Sequence, residues 1–71
     1  MDMKLEYDKE VDAAYIYLKF HMKDGECTKT IEVNKNIIID LDHSGKVLGI
    51  EVLNASKVLN KAILKEAVAE I

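Results

Sequence analysis

The stretch Asn36-Ile37-Ile38-Ile39-Asp40-Leu41-Asp42-His43-Ser44-Gly45-Lys46-Val47-Leu48-Gly49-Ile50-Glu51-Val52 decides the fold. Ile37 to Asp42 and Val47 to Leu53 are strand-length runs rich in isoleucine, valine and leucine, and His43-Ser44-Gly45 between them is turn chemistry. The stretch reads as a β-hairpin, and its loop sets the register. A three-residue loop with Gly45 in the left-handed conformation pairs Asp42 with Lys46, Asp40 with Leu48 and Ile38 with Ile50. A four-residue loop pairs Leu41 with Leu48 and Ile39 with Ile50 instead. Turn chemistry favours the first. The choice matters because a slip of one residue exchanges the two faces of a strand. In the favoured register one face holds Ile38, Leu48, Ile50 and Val52. The other holds Ile37, Ile39, Leu41, Val47 and Leu53.

Working outward, Met3 to Tyr7 alternates apolar and polar, Asp8 to Asp12 is a charged turn, and Ala13 to Phe20 is a second strand. His21 to Glu26 is a loop marked by Asp24-Gly25, Cys27 to Val33 alternates again, and Asn34-Lys35-Asn36 is a tight turn. After Asn54 the period lengthens. Leu59, Ile63, Leu64, Ala67, Val68 and Ile71 recur at helical spacing behind Ser56, a good N-cap. Asn60 is a candidate second cap that would separate the first turn. The expected fold is α+β in a single domain, residues 1–71. A five-stranded, twisted antiparallel meander over about residues 3–53 carries one C-terminal helix, about residues 57–70, packed on one face.

One helix covers one face of such a sheet. In the favoured hairpin register the face left over carries Ile37, Ile39 and Val47, joined by Tyr15 and Tyr17, and is expected to be an interaction surface. Homodimerisation is its simplest use, with a small protein partner as the other.

Composition bounds the rest. Seventy-one residues make one domain, and a single cysteine forms no internal disulfide. There is no leader-like start, and no apolar run approaches the roughly 20 residues of a membrane span. A net charge of −3 argues against a nucleic-acid surface. The expectation is a cytoplasmic protein that binds neither nucleic acid nor membrane.

Several constellations invite chemistry. Asp40-x-Asp42-x-Ser44-Gly45, followed after five residues by Glu51, fits a calcium-loop pattern, so Asp40, Asp42, Ser44 and Glu51 are the candidate metal ligands. That loop belongs between helices, whereas here strand sequence flanks it, and the favoured register sends Asp40 and Glu51 to opposite faces. The bland reading is a charged strand end beside a glycine turn. His21, His43 and Cys27 lack zinc spacing and read as surface histidines and a packed thiol. Asp8 and Asp12 could form an acid–base pair, with His21 as a third member, but turn capping explains them more simply. Lys57, Lys61 and Lys65 recur every fourth residue and read as a solvated helix face. No catalytic constellation, cofactor motif or phosphate loop is visible, so the expectation is a non-enzymatic module without a cofactor.

Tyr7-Asp8-Lys9-Glu10-Val11-Asp12-Ala13-Ala14-Tyr15-Ile16 resembles the opening of a small prokaryotic family catalogued as domain of unknown function 2283. Ile38-Ile39-Asp40-Leu41-Asp42, Gly45 and Val47-Leu48-Gly49-Ile50-Glu51-Val52-Leu53-Asn54-Ala55-Ser56 resemble its second signature. The resemblance spans Met3 to Ser56. It implies no activity, cofactor or catalytic residue. Relatives that sit beside small toxin-like proteins make an antitoxin-like, partner-binding role its one functional implication.

Overall fold

The computed structural model describes residues 2–69. Five strands come first: β1 (Asp2–Asp8), β2 (Ala13–Phe20), β3 (Lys29–Asn34), β4 (Ile37–Leu41) and β5 (Val47–Leu53). Two short helices, α1 (Ala55–Val58) and α2 (Lys61–Lys65), and a two-residue strand β6 (Val68–Ala69) follow. All lie in or against one sheet of order β3-β4-β5-β2-β1-β6. The first five strands are antiparallel. β6 runs parallel to β1 at Glu6 and Tyr7.

The order departs from a meander. β2 lies beside β5, not beside β3. The chain between Phe20 and Lys29 crosses three strand spacings, about 14 Å, well within the reach of eight extended residues, about 28 Å. The gain is burial. Ala14 sits opposite Val52 and Ile16 opposite Ile50 in the middle of the sheet. β3, with Lys29, Thr30 and Glu32 and every residue exposed, is left at the edge, where charge is tolerated.

The hairpin uses both registers in succession. Gly45 adopts φ 84°, and Asp42 N–H donates to the Lys46 carbonyl at 2.9 Å, so the three-residue loop forms as turn chemistry dictates. Leu41 then pairs with Val47, but Asp40 pairs with Gly49 and Ile39 with Ile50. Leu48 is the extra residue of a β-bulge. The bulge corrects the expected facing of the whole hairpin. Ile37, Ile39, Leu41, Ile50 and Val52 share a face with Ala14 and Ile16; Ile38, Asp40, Gly49 and Glu51 share the other with Tyr15 and Tyr17. Turn geometry and apolar segregation demand different registers, and one inserted residue satisfies both.

The core lies on the first face. Ala14, Val52 and Ala55 are buried at 3%, 2% and 0% exposure, with Leu5, Tyr7, Ile50, Val58, Leu59 and Leu64 packed around them. The single helix expected over residues 57–70 is two short ones. Leu59 is extended, at φ −102° and ψ 147°, between α1 and α2. Asn60 caps α2 by accepting from Ala62 N–H at 2.8 Å, the separate first turn that its identity suggested. The break lets Val58, Leu59 and Leu64 all reach the same cluster, which outweighs helix continuity in so short a segment. Lys57, Lys61 and Lys65 therefore form no continuous ridge. Glu70 and Ile71 lie outside the described residues.

Candidate functional site

Two polar clusters organise the surface, one at the turn before β2 and one built on its Tyr15 and Tyr17. The first begins at Asp12, which closes the turn between β1 and β2 with φ 55°. Its carbonyl accepts from Ala55 N–H at 2.9 Å. One carboxylate oxygen takes Ser56 N–H at 2.9 Å and Tyr7 O–H at 2.8 Å, and the other takes the Ser56 hydroxyl at 2.7 Å. Ser56 is thus not the N-cap of α1. That place belongs to Asn54, itself at φ 54° and without a side-chain cap bond, and Asp12 satisfies the helix's first amides from a distant turn. Ser56 and Tyr7 donors hold the Asp12 carboxyl below its ordinary range. The same bond to Asp12 raises the Tyr7 phenol.

On the face opposite the core, Tyr15, in the first half of β2, lies across Gly49. A Cβ placed on Gly49 would stand 2.6 Å from the Tyr15 ring, so this strand position admits no side chain while the ring stays put. The ring packs on Tyr17 with centroids 4.5 Å apart, tilted by 49°. Its hydroxyl donates to Asp40. Burial, and then the Asp40 carboxylate, push the Tyr15 phenol far above its ordinary value. The loop after β2 closes over this pair through an ion pair between Lys19 and Glu26, and Lys19 holds the Glu26 carboxyl low. The result is an open concavity of about 410 Å³, floored by Tyr15, Tyr17 and Asp40 and walled by Met22 and Cys27.

Tyr7, Asp12, Tyr15, Asp40, the glycine turn and the Asn-Ala-Ser corner belong to the two sequence signatures. The family model described as protein of unknown function (DUF2283) matches residues 4–56. The chain belongs to this family. It is 43% identical over 61 residues to an uncharacterised protein of Methanocaldococcus jannaschii, an alignment covering 84% of this chain and 47% of the relative. The chain thus spans about half the length of that relative. No solved structure matches it.

The remaining candidates in this DUF2283 chain fall as follows. Asp42 spends one carboxylate oxygen on Ser44 N–H, Ser44 hydroxyl and Lys46 N–H, at 2.8–2.9 Å, and the Lys46 amide leads in lowering its pKa. This is the turn chemistry of the bland reading. The bulge corrects the expectation for Asp40 and Glu51: they share a face, with Asp40 opposite Gly49 and Glu51 opposite Ile38. Among the described residues, no group of three or more His, Cys, Asp and Glu side chains gathers as a ligand set. Asp8 caps its own turn through Glu10 N–H at 3.0 Å. β2 separates Asp12 from His21 by about 30 Å of extended chain, so that trio does not converge. His21 and His43 are exposed and Cys27 is half-buried.

The expected interaction surface is divided. Tyr15 and Tyr17 are on one face of the sheet, and Ile37 and Ile39 are on the other. Val47 is 46% exposed beside the bulge. The long-range partners of Asp12 and Asp40 lay beyond sequence reasoning. Gly49 did carry a signal: a glycine inside an apolar strand marks a bulge or a close approach, and here it is next to one and part of the other. Among the described residues, no helix is long and apolar enough to cross a membrane.

Proposed function

We propose that this chain is a small, non-enzymatic cytoplasmic interaction module that works as a homodimer. One observation carries the reading: among the described residues the apolar face stays open at its β3 edge, although Leu41 and Leu48 inside that edge are buried at 7% and 3%. α1 and α2 pack over Ala14 and Val52. Towards the β3 edge the same face presents Ile31, 47% exposed, with Ile39 directly opposite it on β4 and Ile37 beyond, both half-buried. Val33 on the edge strand is 55% exposed. Apolar side chains contiguous with a core, and left at a sheet edge, favour association.

Light scattering on the purified chain tests this. The expected mass is twice 8.0 kDa, and a strictly monomeric chain at micromolar concentration overturns the reading. An antitoxin-like use of the same patch predicts instead a monomer alone and a mixed complex with a small toxin-like chain.

A further inference from the structure

We infer that two copies join through β3, antiparallel about a two-fold axis at Ile31, so that their sheets become one. The inference rests on the homodimer reading and specifies its geometry.

The backbone sets the frame. β3 ends the sheet. The Asn36 carbonyl accepts from Leu53 N–H at 2.8 Å, so Asn36, and by alternation Ile38 and Asp40, direct their backbone groups at β5. Ile37, Ile39 and Leu41 then face β3, in agreement with the 3.0 Å bond from Thr28 N–H to the Leu41 carbonyl. Since Lys29 pairs with Leu41 and Ile31 with Ile39, the backbone groups of Lys29 and Ile31 are used inside the sheet, and those of Thr30 and Glu32 point outward. The opposite edge is less open, because β6 occupies β1 at Glu6 and Tyr7.

A two-fold axis perpendicular to the sheet preserves the faces, so residues pair only with residues of the same parity. With the axis at Ile31, each Thr30 meets a Glu32 of the second copy. The two outward-pointing residues then bond each other's backbone, and hydroxyl lies beside carboxylate on one face. On the other face Ile31 meets Ile31 in a close, non-hydrogen-bonded pair, extending the apolar strip of Ile37 and Ile39 across the axis. Moving the axis to Glu32 sets two carboxylates against each other. Moving it to Thr30 sets Ile31 against Lys29. The bulge at Val33 ends the pairing there.

The full chain tests this by ultracentrifugation. Thr30→Pro removes only an outward N–H, so the variant keeps the β3–β4 ladder while losing the new one. Ile31→Asp places like charges at the axis. Each is expected to weaken self-association at least ~10-fold, with the circular dichroism of the parent. A third variant guards against misfolding: Ile31→Cys in a Cys27→Ser background is expected to form an intermolecular disulfide on mild oxidation. Cα atoms of a non-hydrogen-bonded pair are about 4.5 Å apart, within disulfide range. Val33→Cys in the same background, which faces Lys29 across the axis, is expected to cross-link slowly. If the parent chain is dimeric but Ile31→Cys fails to cross-link faster than Val33→Cys, or both folded edge variants stay dimeric, the edge geometry is wrong and the homodimer stands. A monomeric parent overturns both.

Discussion

Asp12 accepts both the amide and the hydroxyl of Ser56, 44 residues further along the chain. With Tyr7 as a third donor, this carboxylate ties the β1–β2 turn to the start of α1. It explains two left-handed residues at once. Asp12 and Asn54, at φ 55° and φ 54°, flank the junction and deliver the Asp12 carbonyl to Ala55 N–H. Aspartate and asparagine tolerate that conformation better than other non-glycine residues. Ala55, at 0% exposure, seals the corner.

The junction makes stability acid-sensitive. The folded Asp12 carboxyl titrates below its unfolded value, near 3.9. Its contribution is therefore complete above that value and is lost as pH falls through the folded one, because the unfolded chain binds the extra proton. Asp12→Asn is expected to lower the melting temperature at pH 7 and to flatten the acid limb of the stability curve below about pH 4. Ser56→Ala should act in the same direction and non-additively with Asp12→Asn, since both remove one bond pair. Thermal denaturation from pH 2 to 7 reads this out. Equal acid slopes in parent and Asp12→Asn would refute it.

Tyr15 gives the opposite sign at the alkaline end. Its phenol is raised by burial and by Asp40, so its stabilising contribution is intact below about pH 10 and declines as pH rises further. In an absorbance titration, Tyr15→Phe is expected to remove a phase that ionises later than an ordinary tyrosine. Loss of an earlier phase would mean that the bond to Asp40 does not persist in solution.

Gly49→Ala brings a methyl group to 2.6 Å from the Tyr15 ring. Overpacking of this kind costs about 1–3 kcal/mol. Tyr15→Ala in the same chain should recover most of the added loss, because the clash partner is gone. A double-mutant cycle by urea denaturation measures the coupling, and additive effects would show that the ring moves aside freely.

Asn60→Ala removes the bond that starts α2. A lost N-cap costs about 1 kcal/mol. Leu64 should lose protection with it, since only α2 holds this side chain on the core cluster. Amide exchange across residues 61–65 monitors the effect, which is expected to be local.

Much of this architecture is legible in the chain itself. Alternating residues mark five strands, and Gly45 with Asp42 dictates the three-residue loop. Asn60 announces a second cap, and the residues of the two signatures carry the family. These depend on neighbours in sequence, where spacing and turn chemistry act directly. The course of β5 does not. A loop-dictated register and an apolar-face register conflict within Val47 to Leu53, and only packing against Ala14 and Ile16 places the bulge at Leu48. The same holds for the sheet order, which depends on burying β5 beside β2. It holds again for the split of Tyr15 and Tyr17 from Ile37 and Ile39. Sequence determined which residues form the elements; tertiary structure decided which face each presents. A face is a parity, and one inserted residue reverses it without changing the local pattern.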